Sequence, residues 1–231
     1  MIRECNFEDI SDGRRYSKND MVKLDTCDCA GCYKCCTNVG NTIVLDSFDM
    51  FLLEKATNKD FKSLLETGYI ELNMIDGLIL PNIKMNSNNQ CSFLDDNGRC
   101  TVHSNRPGIC RLFPLGRIYN EQGFDYFLQK DECIKELRAK IKIKKWLGIN
   151  NLDEYEQYVL RWHNFIKWVG NIMIKLRDSN QGDEINNLAM LVLNTFFAEK
   201  ISGDEKGFYS EINNKITQIE EIISKWEVAK C

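Results

Sequence analysis

Cys27-Asp-Cys29-Ala-Gly-Cys32-Tyr-Lys-Cys35-Cys36 places five of the chain's eleven cysteines within ten residues. A stretch so dense in thiols and so poor in aliphatic side chains organises its surroundings around a metal before it organises them around a core. On a helix, positions i, i+3 and i+7 share one narrow sector, so Cys29, Cys32 and Cys36 can present three sulfurs on one face while Cys35 points elsewhere. The adjacent Cys35-Cys36 pair therefore implies either two destinations or a turn that brings one sulfur inward. Each C-x2-C step lets two thiolates reach one ion or cluster. Four-thiolate sites serve zinc and iron-sulfur clusters alike, so the spacing leaves the metal open.

Thiols return downstream in Cys91-Ser-Phe-Leu-Asp-Asp-Asn-Gly-Arg-Cys100, then at Cys110 and Cys133. Asp96-Asn97-Gly98 is a turn signal that folds Cys91 and Cys100 toward one another as a knuckle. Pro107 and Pro114, two of the three prolines, bracket Cys110 and stiffen its segment. Arg99, Arg106 and Arg111 lie between these cysteines. They can offset the negative charge of a thiolate-bound cluster, pair with Asp95, Asp96 or Asp125, or hold an anionic substrate. His103 is a further possible ligand, although a lone histidine in a turn is more often structural. Cys5 has no neighbouring partner and reads as an incidental thiol.

Between the two cysteine groups, Asn41 to Asp46 has the β-branched content of a short strand. Asp46 or Ser47 then caps a helix over about Phe48 to Thr57, and Phe61 to Thr67 forms a second helical piece stopped by Gly68. Tyr69 to Met74 and Gly77 to Lys84 read as strands joined at Asp76-Gly77, and Ile118 to Leu128 as a hairpin around Asn120 to Gly123. The first 26 residues read as an irregular or partly extended lead-in.

Past about Lys135 the only cysteine is Cys231, and the pattern becomes helical. Tyr155, Tyr158, Val159, Trp162, Phe165, Val169, Ile172 and Met173 recur at steps of three and four. A second stripe runs from Ile185 to Phe197 and a third from Ile212 to Trp226, all read as core. Lys135 to Lys145 holds six basic residues in eleven. Ile134, Leu137 and Ile141 sit at helical spacing there, which predicts a solvated helix face. The expected fold is therefore α+β: a small, irregular, cysteine-rich region with short strands over 1–134, followed by an all-helical region over 135–231 packed on it.

The net charge of −4 gives no general affinity for nucleic acid. The first twenty residues lack the apolar centre of a secretory signal, and no run has the length of a membrane span. A cytoplasmic location without membrane association is the expectation, and thiols there are ligands or redox groups rather than structural bridges. With only two histidines, and no Gly-rich phosphate loop or H-E-x-x-H helix, the common hydrolytic and nucleotide-binding signatures are missing.

Over roughly residues 27 to 135 the chain resembles the YkgJ-type cysteine-cluster family of zinc- or iron-chelating domains. The resemblance rests on Cys29, Cys32, Cys35 and Cys36 as C-x2-C-x2-C-C and on Cys91 to Gly98-Arg99-Cys100. It continues through Arg106-Pro107-Gly108-Ile109-Cys110-Arg111-Leu112-Phe113-Pro114 and the downstream Cys133. It implies a metal set of Cys29, Cys32, Cys35, Cys36, Cys91, Cys100, Cys110 and Cys133, with Cys27 an extra thiol. Eight thiols satisfy two four-thiolate centres, one cluster plus a zinc, or one cluster with spare redox cysteines.

A more distant similarity is to flagellin lysine methylases, where an iron-sulfur cluster accompanies methyl transfer from S-adenosylmethionine. The favoured expectation is a protein holding a [4Fe-4S] cluster, with zinc as the other metal. The alternatives are a cluster-dependent enzyme modifying a protein or peptide, such as an S-adenosylmethionine-dependent lysine N-methyltransferase, and a zinc-stapled interaction module.

Overall fold

A computed structural model describes residues 6–24, 32–135 and 139–228. In chain order these form α1 (Phe7–Ile10), β1 (Met21–Lys23), α2 (Ser47–Thr57), α3 (Phe61–Glu66), β2 (Ile70–Ile75), β3 (Leu78–Ile83) and α4 (Gly108–Leu112). There follow β4 (Leu115–Asn120), β5 (Gly123–Leu128), β6 (Lys140–Lys142), α5 (Ile143–Leu147), α6 (Leu152–Asp178), α7 (Gly182–Leu193) and α8 (Glu205–Val228). Short strands with a helical C-terminal half make this the expected α+β class. No helix among the described residues is long and apolar enough to cross a membrane.

The strands form three two-stranded sheets, β1 with β6, β2 with β3 and β4 with β5. The chain divides into two compact units: Met1–Ile43 with Ile83–Leu152, and Val44–Asn82 with Asp153–Cys231. This division by contacts does not coincide with the compositional boundary near residue 135. All seven cysteines among the described residues fall in the first unit.

In the first unit, β4 and β5 pair antiparallel from Leu115↔Leu128 to Asn120↔Gly123, with Glu121 and Gln122 as the turn. The lead-in covers the free edge of β5. Tyr16 and Tyr126 exchange both backbone hydrogen bonds, at 2.8 and 2.9 Å, and Asp12 N donates to Leu128 O at 3.1 Å. An edge closed in this way offers no template for pairing with another chain.

The basic run differs from expectation. Lys140–Lys142 is a strand paired with β1, with Ile141 opposite Val22, and the helix begins only at Ile143. Lys-Ile-Lys alternates with the period of a strand, and a buried partner in Val22 outweighs the helical spacing of the longer run. Leu137 lies outside the described residues. Asn41 to Asp46 is likewise not a strand: only Val44 makes an isolated bridge, to Asn82.

In the second unit, α2 starts with a capping box. The Asp46 side chain accepts from Asp49 N at 2.9 Å, and the Asp49 side chain accepts from Asp46 N at 3.1 Å. The Tyr158 hydroxyl accepts from Phe48 N at 3.2 Å, so a third orphan donor of the first turn is satisfied. Asp76 and Gly77, with φ of 51° and 85°, make the tight turn between β2 and β3. The predicted helical stripes are core: Tyr155, Tyr158, Phe165 and Val169 of α6, Leu188 and Val192 of α7, and Phe208, Ile212 and Ile216 of α8 are all buried. Phe48 of α2 packs among Tyr155, Tyr158, Phe208 and Tyr209 at ring distances of 5.2–6.1 Å.

Candidate metal centre

The described part of the first cysteine group is not an α-helix. Lys34–Cys36 forms a single 3-10 turn, with Cys36 N donating to Tyr33 O at 2.9 Å, and Thr37 leaves it in extended conformation. This is the turn alternative for the Cys35-Cys36 pair. Cys27 and Cys29 lie outside the described residues, as do Cys5 and Cys231.

The turn is fastened to the second cysteine group through the backbone. Cys91 N donates to Cys36 O at 2.8 Å and Asn38 N to Asn89 O at 2.8 Å, with Thr37 and Gln90 in a bridge between them. Cys91 to Cys100 is the predicted knuckle. Leu94 bridges Cys100, and Asp95 N donates to Arg99 O at 2.9 Å. The Asp95 carboxylate holds the turn by accepting from Asn97 N and Arg99 N at 2.9 and 2.8 Å. Gly98 is required twice over: its φ is +69°, and a Cβ there would come within 2.6 Å of the Tyr33 ring lying against it.

Cys110 rides on α4, which begins directly after Pro107, where a missing N–H costs nothing. Arg111 is buried and spans two backbone carbonyls, donating from Nη1 to Leu147 O at 3.2 Å and from Nη2 to Ser104 O at 2.8 Å. Of the three roles open to the arginines, structural pairing is the one Arg111 takes, with carbonyls rather than carboxylates. Asp125 faces Arg15 at 3.8 Å. Arg106 lies against His103, its Nη1 within 3.1 and 2.8 Å of the two ring nitrogens and donating to His103 O at 3.3 Å.

These elements bring Cys32, Cys35, Cys36, Cys91, Cys100 and Cys110 to the wall of one cavity of about 90 Å3. Tyr33, Phe93, Arg99, His103, Arg106 and Phe113 also line it. Cys133 lines a smaller cavity of about 30 Å3, together with Cys32, Cys35 and Phe113, which belong to both. Seven of the eight thiols matched to the family pattern are thus gathered in two cavities with a shared wall, and the eighth, Cys29, lies outside the described residues. All seven are free thiols. Among the described residues, no three Cys, His, Asp or Glu side chains converge closely enough to hold a single ion.

Burial and mutual proximity dominate the thiol acidities. A hydrogen bond from Cys36, aided by the positive charge of Arg106 and opposed by burial, brings Cys35 down to about 7. Cys36 is pushed up by that same hydrogen bond, by burial, and by the charges of Cys35, Cys110 and Cys91. Cys91 is pushed up to about 11 and Cys100 also upward, chiefly by burial. Arg106 and Arg99 act on Cys100 in the opposite direction. Partly buried thiols whose deprotonation is opposed by burial and by one another's charge form a set that a metal stabilises by replacing protons.

Sequence reasoning missed Tyr33 and Phe113 as cavity walls, and it offered Arg111 aspartates to pair with where the structure supplies carbonyls. The first two sit beside ligand-type cysteines or a proline, but nothing in a one-dimensional spacing says which neighbour faces the cavity.

A cysteine cavity walled by a 3-10 turn, a knuckle and a helix has the donors of a thiolate chelating site. A family model described as "CxxCxxCC: Putative zinc- or iron-chelating domain" matches residues 28–141. Over that stretch the chain belongs to this family of zinc- or iron-chelating domains. No curated protein and no solved structure matches the chain.

Proposed function

We propose that the cysteine cavity holds an iron-sulfur cluster of the [4Fe-4S] type, with ligands drawn from Cys29, Cys32, Cys35, Cys36, Cys91, Cys100, Cys110 and Cys133. The observation that carries this reading is the gathering of six ligand-type cysteines on the wall of one cavity that Arg99 and Arg106 also line.

The donor set fits the group in its charge as well. Four thiolates on an oxidised cubane leave about two negative charges. Arg106 and Arg99, whose fields reach Cys35 and Cys100, are placed to offset them. Phe93, which is buried, and Phe113 give the cavity apolar wall. When bound, such a cluster supplies a one-electron redox centre. The protein's own part is to place the thiols, to shield them, and to set the potential through nearby cations and peptide N–H groups.

Methyl transfer from S-adenosylmethionine to a lysine has less support from this site, because a cationic side chain would approach Arg99 and Arg106. The test is spectroscopic. Protein purified without oxygen from iron-supplied cells is expected to show broad visible charge-transfer absorption that bleaches on reduction, with a paramagnetic signal appearing in the reduced state. A colourless protein containing zinc would overturn the iron reading and leave the zinc-stapled module.

A further inference from the structure

Of the described residues lining the larger cysteine cavity, three are exposed: Tyr33, Cys35 and Arg99. A side chain that lines a cavity and also faces solvent stands at its mouth. Tyr33 is the one aromatic ring of the three, with 44% of its surface exposed. The other cavity thiols, Cys32, Cys36, Cys91, Cys100 and Cys110, are less exposed than Cys35.

The ring reaches from the first cysteine group to the knuckle of the second. A Cβ on Gly98 would stand 2.6 Å from Cδ1 and 2.9 Å from Cε1 of Tyr33, so one edge of the ring rests on the knuckle backbone. The two groups are thus fastened in two ways. After the 3-10 turn the fastening is backbone, with Cys91 N donating to Cys36 O and Asn38 N to Asn89 O. Before the turn it is the ring alone, and the Tyr33 hydroxyl has no hydrogen bond among the described residues. Contact along one edge of a half-exposed ring is the weaker of the two, and it opens by rotation of a single side chain while the backbone bonds stay closed.

We infer that Tyr33 is the gate of the larger cysteine cavity: its ring, resting on Gly98, bars the mouth, and metal leaves to an outside chelator when the ring swings off the knuckle. Gly98 is the other half of the device, because a side chain there would hold the ring away. The inference rests on metal binding by the cavity and is independent of which metal is bound. It makes Tyr33 a residue that sets the rate of metal exchange without being a ligand.

The test uses the full chain as isolated with its metal and follows loss of that metal to excess EDTA, by bleaching of colour for iron or with a zinc-sensitive dye for zinc. Tyr33→Ala removes the ring and Gly98→Ala displaces it, and each is expected to lose metal about fivefold faster or more. Tyr33→Phe keeps the ring and should release metal at the wild-type rate. Combining Tyr33→Ala with Gly98→Ala should add little to either alone, because both remove the same contact. Release through the gate exposes little surface, so its rate should stay nearly insensitive to urea below the unfolding transition, in the wild type and the variants alike.

Release that rises steeply with urea would make metal loss a consequence of unfolding and Tyr33 an ordinary packing residue, which would overturn the gate. Wild-type release rates in Tyr33→Ala, or fast release in Tyr33→Phe, would overturn it as well, and so would a protein isolated with no metal at all. Zinc in place of iron would overturn the cluster reading alone, and the same release rates would then decide the gate.

Discussion

Each cysteine reaches the cavity by a different local device, so single substitutions have separable effects. Cys110 is carried by α4 and Cys100 by the Asp95 knuckle. Replacing either with serine should lower metal content and thermal stability together, whereas Cys231→Ser should change neither; metal analysis beside thermal melts checks this. Arg111→Met removes both donors to the carbonyls of Leu147 and Ser104. It is expected to cost about 2–3 kcal/mol in chemical denaturation, and lysine should not restore it because one ammonium cannot reproduce the two-pronged geometry.

The thiols also give the metal-free protein a pH signature. Cys36, Cys91 and Cys100 titrate higher in the folded protein than in the unfolded chain. The stability they contribute is therefore complete below the ordinary thiol range and is lost as pH rises from there through about 11. Cys35, brought down to about 7, works the other way: its contribution is present above the ordinary range and is lost as pH falls through about 7. With three raised groups against one, the stability of the metal-free protein is expected to fall on the alkaline side. Denaturant midpoints measured in steps from neutral pH upward would show it. Metal binding should strengthen over the same rise, because fewer protons remain to be displaced.

At the scale of elements, the chain revealed those whose signals are local. The Asp46 cap, the Asp76-Gly77 turn, the knuckle between Cys91 and Cys100 and the three apolar stripes were all legible because each depends on neighbours a few residues away. The capping box makes its own prediction. Asp46→Ala removes the acceptor for Asp49 N and should destabilise the fold by about 1 kcal/mol, read from denaturation midpoints.

What was not legible depends on distant partners. Lys140–Lys142 is a strand because Val22 waits opposite Ile141, some 120 residues earlier. Asn41 to Asp46 has the composition of a strand but only one bridging residue, Val44. Structural pairing, cluster tuning and anion binding were all open to Arg111, and only the fold supplied the carbonyls of Leu147 and Ser104 that decide for pairing. Cysteine spacing identified the ligand-type residues, but the pairing of Cys36 with Cys91 across 55 residues came only with the fold.

At the scale of the whole molecule, the chain divides its labour between two units, one bearing every described cysteine and the other an aromatic core drawn from α2, α6 and α8. The second unit needs no metal to account for its burial. Phe48→Ala, which removes a ring packed among four others, should cost about 3–5 kcal/mol whether or not metal is present. The first unit has short elements and a cavity walled by thiols, so its stability should depend on what fills that cavity. The measurement that tests this most directly is the iron, zinc and acid-labile sulfide content per chain of protein isolated without oxygen. About four irons and four sulfides per chain are predicted. Zinc without sulfide would contradict the account.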